Sequence, residues 1–527
     1  MMKSPRVFLK LFRKASGFFN RKKKLKKCRE KALPTSDAVS GETTKELPAE
    51  KVTHAPVFEV TPEQIDIQVG IDFGTSATKI AFRELAFKAT IRPIVFNHGL
   101  KAYPGYCLPS LAVFSAKDEL LLGIEAAQEL ENEPWSKGFR LLKILVAGRA
   151  DSLYKNLDAE NAYKSGLQDY SGNTRSLTPE KLTAIYIAYV IKKARSAISS
   201  LPRYQKGQKL NLIFNIGIPI DYTENNKVQG VFEKIIAWAE LIERQWNGRA
   251  NSDPVKLAEG CESQAEYGSS DGLKRAAPEA RVFAVPEAVA EVASYTLSRQ
   301  MEEGLYALID LGAGTTDISI FRLRRMEHLR LKQVWLSARN IPHGGNFIEQ
   351  EVSQYISQGN QSSTKSEVIR CLTNYCNNTL QAGVQTDISA IIRQFLGDIW
   401  KSQEYINIWV AAYDRHSPRE VPSWKKVRVF VAGGVALLPE VRKTFSRPWW
   451  DRIRRLTPRY ECDYLPEPSD YDSEGGKAPF ARMEVACGLS YAIEQLEDVL
   501  LPSRVGIVPV VTPPVYIPHI DYDNNPG

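Results

Sequence analysis

Asp310 ends an apolar run that begins at Ala307, and a turn of Gly312, Ala313, Gly314 and Thr315 follows it. A second run then starts at Asp317 and alternates through Ile318, Ser319 and Ile320. Glycines without a Cβ let backbone N–H groups converge on an anion, and Thr315 and Thr316 add hydroxyl donors. A carboxylate at the strand end suits a hydrated divalent cation, because hard cations take oxygen ligands and keep several waters. The chemistry indicated is phosphate binding beside a metal ion. For a single stretch, an ordinary glycine-rich turn explains the same residues.

The stretch occurs twice. Val69 to Phe82 reads VGIDFGTSATKIAF, in which Asp72 matches Asp310, Gly74 matches Gly312, and Thr75 and Ser76 fall in the turn. The two aspartates lie 238 positions apart. A repeat at that distance implies two similar lobes, each opening on the same hairpin. Two such loops facing each other would grip a nucleoside triphosphate from both sides.

The elements that must position these turns follow from local pattern. Leu108 to Phe114 reads as a strand after a proline turn, and Leu120 to Gln128 as a strand passing into a helix. Phe139 to Arg149 is apolar and basic, with Lys143 inside a hydrophobic run; such a lysine either snorkels or points into a phosphate site. Leu177 to Leu201 reads as a helix with Thr178 as N-cap and Pro179 at its first position. Leu212 to Ile220 is a buried strand that leads into a helix, and 245–280 reads as a polar surface insertion. Arg281 to Tyr295 is a strand, a Pro-Glu turn and an Ala-rich helix. Glu287 sits at that junction, where the helix dipole favours an acid and where a carboxylate could equally orient a water. Gly344-Gly345 precedes a helix, and Val427 to Val441 is a strand, Gly433-Gly434 and a helix, a shelf for a phosphate or nucleoside. Met483 to Ile493 reads as one helix with small residues Ala486, Cys487 and Gly488.

Composition bounds the class. The chain has 527 residues, 43% hydrophobic and 25% charged, ordinary for a globular protein of two to four domains. Seven cysteines form no CxxC pair, which fits a reducing cytosol with neither a disulfide framework nor a zinc site. No apolar run approaches the roughly 20 residues that span a bilayer. Residues 1–31 hold thirteen Lys or Arg against one acid, Glu30, so the rest of this +8 chain carries −4. That tail suits an anionic membrane surface, or phosphate contacts with nucleic acid without sequence specificity; a plain solubilising tail accounts for it equally well. Residues 32–64 read as a flexible linker.

In their order these motifs resemble the actin-like ATPase superfamily, and in detail the nucleotide-binding domain of the heat-shock 70 chaperones, over roughly residues 66 to 497. VGIDFGTSATK resembles the first phosphate motif, VPEAVAEVASY the first connecting motif and ALIDLGAGTTD the second phosphate motif. IPHGGNF, VAGGVALLPEV and MEVACGLSYA follow in the family's order. The resemblance implies an α/β fold of two duplicated ribonuclease-H-like lobes with the nucleotide in the cleft between them. The lobes would span 65–302 and 303–498, with a basic tail and linker at 1–64 and a Pro-rich tail at 499–527.

It further implies ATP and Mg²⁺, with Asp72 and Asp310 holding the hydrated metal. Lys143, Glu287, Asp310 and Asp317 would be catalytic. Lys143 would offset charge on the γ-phosphate, and Glu287 with Asp317 would order the attacking water. Nucleotide contacts would come from Asp72, Gly74, Thr75, Ser76 and Lys79, from Gly312, Ala313, Gly314 and Thr315, and from Gly344, Gly345, Gly433 and Gly434. Lys79 occupies the place of the phosphate lysine in actin, so two lysines fit one role, and the Gly148-Arg149 context favours Lys143. Val435 and Leu437 depart from the family's adenosine motif, which carries a small polar residue and an arginine there. The stretch after residue 500 is too short for the chaperones' peptide-binding β-domain. The expectation is a slow, cytoplasmic, chaperone-like ATPase switch that acts on a protein partner, with a nucleotide-controlled actin-like filament as the alternative. Its tail would sit peripherally at a membrane, and it would have no sequence-specific nucleic acid partner.

Overall fold

The computed structural model describes residues 64–505, apart from 86–88, 132–137, 168–175, 205–207, 249–252, 264–280, 326–330, 358–362, 416–425, 448–458 and 497–498. The basic tail and nearly all of the linker, like the Pro-rich stretch 506–527, lie outside the described residues.

The first sheet starts with β1 (Gln64–Phe73), which pairs antiparallel with β2 (Ala77–Glu84). Both β3 (Arg92–Pro93) and β4 (Cys107–Pro109) add to β2. A small hairpin, β5 (Ala112–Phe114) and β6 (Leu120–Leu122), leads into α1 (Gly123–Glu129) and α2 (Leu142–Ala150). The long helix α3 (Pro179–Ser199) begins as expected, with the Thr178 side chain accepting from the Lys181 N–H. Next come β7 (Lys209–Ile218), α4 (Asn226–Gly248), β8 (Val282–Pro286) and the short α5 (Glu287–Glu291). Since β7 runs parallel to β1, and β8 to β7, the order is β3-β2-β1-β7-β8. The near-continuous apolar character of β1 and β7 follows, because parallel strands are covered on both faces.

The second sheet repeats this plan. Its first strands are β9 (Gly304–Leu311), β10 (Thr316–Arg325) and β11 (Leu331–Ile341), paired antiparallel in sequence. Four helices come next: α6 (Gly345–Ile356), α7 (Lys365–Cys376), α8 (Ala382–Lys401) and α9 (Gln403–Asp414). Then β12 (Lys426–Ala432) lies parallel to β9, α10 (Pro439–Phe445) follows, and β13 (Arg459–Tyr464) lies parallel to β12. Within this sheet the order β11-β10-β9-β12-β13 matches β3-β2-β1-β7-β8 of the first. The architecture is mixed α/β.

Chain order and packing part company at the end. Helix α11 (Glu484–Leu489) follows β13 yet packs on β1, β2 and β7 of the first sheet and crosses α5. The chain then returns, and β14 (Val499–Leu500) pairs with β11 of the second sheet. A central cluster including Val289, Tyr306, Phe321, Trp335, Phe430 and Met483 draws on both halves.

Three local expectations are corrected. The helix expected over Met483 to Ile493 spans only Glu484–Leu489, because the Asn215 side chain on β7 donates to the Leu489 and Tyr491 carbonyls, at 2.9 and 3.2 Å, and holds the chain off the helical path. The polar stretch after 245 is helical to Gly248 and again over Pro254–Ser263, where Ala258 and Cys261 are buried against the first core; its remainder, 264–280, lies outside the described residues. The Ala-rich helix after Pro286 breaks at Val292 into α5 and a single turn, Ala293–Thr296. Among the described residues no helix is long and apolar enough to cross a membrane.

Candidate active site

The two Asp-Gly turns meet. A Cβ on Gly314 would stand 2.7 Å from Thr75 Cγ2, so the second turn packs directly on the first. Each turn is braced from behind by its own half. Ser110 Oγ donates to the Gly74 carbonyl at 2.7 Å, and the Ser110 N–H donates to the Ser76 carbonyl at 3.0 Å. On the other side, the N–H groups of Gly345 and Asn346 donate to the Gly312 and Ala313 carbonyls at 2.9 and 2.6 Å, and Thr316 Oγ1 donates to the His343 carbonyl at 2.7 Å. The HGG segment is thereby clipped onto the second turn. After β12, Gly433 adopts φ +86°, and a Cβ there would stand 2.1 Å from Asp310 Oδ1. Only glycine fits a position that is both left-handed and in contact with the aspartate.

The charged groups converge on the same place. Strand register sets Asp72 opposite Lys79, and they form an ion pair at 2.6 Å. Register likewise sets Asp310 opposite Asp317. From α2, Lys143 reaches Glu287 at the start of α5, Nζ to Oε1 2.5 Å. The two lysines therefore have separate carboxylate partners.

Burial dominates the electrostatics. It lifts Asp310 to about 6, with the Asp72 carboxylate adding to it. Asp317 is pushed up to about 8 by burial, then by Asp310 and Glu287. Burial raises Glu287 to about 7, with Lys143 pulling the other way. For Lys79 burial works against the charge, and the Asp72 carboxylate overrides it, so the ammonium is held above its usual value.

Several residues here escaped the sequence reading. Asn340 Nδ2 donates to Asp317 Oδ1 at 2.8 Å, and Thr315 Oγ1 to Asp317 Oδ2 at 3.3 Å. Lys365, at the start of α7, donates to Ser76 Oγ at 3.1 Å and so links the second half to the first turn. Glu291 and Glu484, on the crossing helices, are 1% and 3% exposed, and one carboxyl oxygen of each lacks a hydrogen-bond partner. Burial, then Asp310, holds both well above the usual carboxylate range. An acid inside an otherwise Ala- and Val-rich helix was the available signal for these two. The departures Val435 and Leu437 differ in place: Val435 is buried, its N–H donating to the Leu311 carbonyl at 3.1 Å, whereas Leu437 is 39% exposed.

Glu287, Glu291, Asp310 and Asp317 line a small, partly open pocket together with Asp221 and Arg339, which pair at 3.3 Å across the two halves. Among the described residues no group of three His, Cys, Asp or Glu is arranged to ligate a metal ion directly. No protein-family model matches the sequence, and no curated protein matches it significantly.

Proposed function

We propose that this chain is a Mg²⁺-dependent ATPase of the heat-shock 70 kind, with two actin-like lobes that close on ATP bound in the cleft between them and a chaperone-like action on a protein partner. The observation that carries the reading is the contact between two equivalent Asp-Gly turns, one from each of two sheets with the same strand order. A duplicated anion-binding turn needs a ligand with phosphates to offer on both sides.

The acids fit a cation. Four carboxylates, Asp72, Glu287, Asp310 and Asp317, crowd beside two ammonium groups, and burial together with their own repulsion raises Asp310 and Asp317. Asp72 and Asp310 would hold Mg²⁺ through its waters, an arrangement that needs no cluster of three direct ligands. Bound there, Mg²⁺ supplies neutralisation of charge on the phosphate oxygens.

The chain's own groups do the rest. N–H groups of the two turns and the hydroxyls of Thr75 and Thr315 bind the β- and γ-phosphates. Lys143 offsets charge on the γ-phosphate. Glu287 and Asp317 orient the attacking water, and carboxyls held at about 7 and about 8 exchange protons near neutral pH. Positioning and charge compensation supply most of the rate in phosphoryl transfer.

The test is Mg²⁺-dependent ATP turnover by the full chain over a range of protein concentrations. Turnover proportional to concentration supports a switch, a threshold points to a filament, and failure to bind ATP overturns the reading. In the same assay Asp310→Asn lowers kcat by about 10²–10³-fold, the scale for losing one preorganised electrostatic group; wild-type turnover by that variant removes Asp310 from the mechanism.

A further inference from the structure

Arg482 closes a 3₁₀ turn, Phe480–Arg482, just ahead of α11, and its side chain lies on the glycine shelf after β12. A Cβ on Gly434 would stand 2.8 Å from Arg482 Nη1, and among the described residues no other atom outside its chain neighbours comes within 4 Å of that position. The space over Gly434 is therefore open except for one guanidinium. Arg482 is half-buried, and its charge reaches both halves. Burial lifts the Cys107 thiol on β4 to about 11, with Lys79 and then Arg482 pulling it down. Burial also raises the Cys376 thiol at the end of α7, and Arg482 again opposes it. Of the cations that act on Cys107, Lys79 pairs with Asp72 and Lys365 donates to Ser76, whereas the Arg482 guanidinium has no hydrogen-bond or ion-pair partner among the described residues. The nearest acid in sequence, Glu484, accepts from the Gly433 N–H instead. Nothing among the described residues accepts from the Gly434 N–H.

We propose that Arg482, with the Gly434 N–H, binds the α-phosphate of the nucleotide, an inference that rests on the ATPase reading. The assignment follows from order along the site. In that reading the two turns take the β- and γ-phosphates beside Asp310. Gly433 touches Asp310, and Gly434 with Arg482 stands one residue further out, where the next phosphate of the chain falls. A guanidinium offers a fork of donors that matches phosphate oxygens, and a glycine beside it leaves room for them. Arg482 leads into α11, so the contact ties the nucleotide to the helix that crosses α5 between the halves.

Titration calorimetry on the full chain with ATP and ADP, in the presence of Mg²⁺, tests it. Arg482→Gln is expected to weaken both nucleotides alike, by about tenfold or more, the scale of one charged hydrogen bond, because both carry the α-phosphate. Arg482→Lys recovers part of the loss, since a phosphate accepts either cation whereas stacking on a base needs the flat guanidinium. Undiminished binding by Arg482→Gln overturns the proposal. So does a loss confined to ATP, which moves Arg482 to the γ-phosphate, and so does a loss that Arg482→Lys leaves in full. If Arg482→Gln does not fold, phenylglyoxal labelling of the wild-type protein takes its place: ADP is expected to protect Arg482, and equal labelling with and without ADP overturns the proposal. A wild-type protein that binds neither nucleotide removes the ATPase reading and this assignment with it. Intact wild-type binding beside an equally tight Arg482→Gln removes this assignment alone.

Discussion

Asp317 accepts from Asn340 and from Thr315, yet burial and two neighbouring carboxylates still push it up to about 8. An unfolded chain releases that proton near pH 4. Between about 4 and 8 the folded protein therefore binds more protons than the unfolded one, and stability falls as pH rises through this window. The expected outcome is a nucleotide-free, Mg²⁺-free protein whose melting temperature declines from pH 6 to pH 8.5, with a shallower decline in Asp317→Asn. A variant with the wild-type slope would show that another group sets the pH dependence. The two strand-end aspartates were legible in the sequence because each stands before a glycine turn and the pattern recurs. Asn340 and Lys365 were not, since each owes its place to contacts with residues distant in the chain, and no local pattern encodes those.

At the scale of elements, the most exacting join is the end of α11. Asn215 satisfies two carbonyls there from the middle of the first sheet. Asn215→Ala leaves both buried acceptors without that donor, and the expected cost is about 1–3 kcal/mol in denaturant unfolding. A loss below the error of that measurement would mean the carbonyls find other donors. Helix α3 was read to within two residues at each end because its cap and its first proline are local signals. Helix α11 was overestimated because the side chain that ends it comes from a strand more than 250 residues earlier. Most of the long strands were legible from their apolar runs, but β11 and β13 were not read. The order of the strands was not legible, since a hairpin names its own partner but says nothing of the parallel neighbour beyond it.

For the whole molecule the governing contact is the crossing of α5 and α11. A Cβ on Gly488 would stand 1.6 Å from the Ala290 carbonyl oxygen, so the two helices touch backbone to backbone. Gly488→Ala forces them apart. Overpacking of this kind costs about 1–3 kcal/mol or more, and the displacement is expected to loosen the contact between the two turns as well. Limited proteolysis and thermal melting check it: a variant with wild-type melting and wild-type digestion would show that the crossing can adjust locally. The same crossing makes the first sheet depend on a late part of the chain. Helix α11 covers β1, β2 and β7, yet it leaves the ribosome roughly 270 residues after β7 is finished. At about 5–20 residues per second, the sheet waits on the order of 10–60 s for its cover. During that interval the nascent chain presents an uncovered apolar sheet, and is itself a substrate for whatever shields newborn chains.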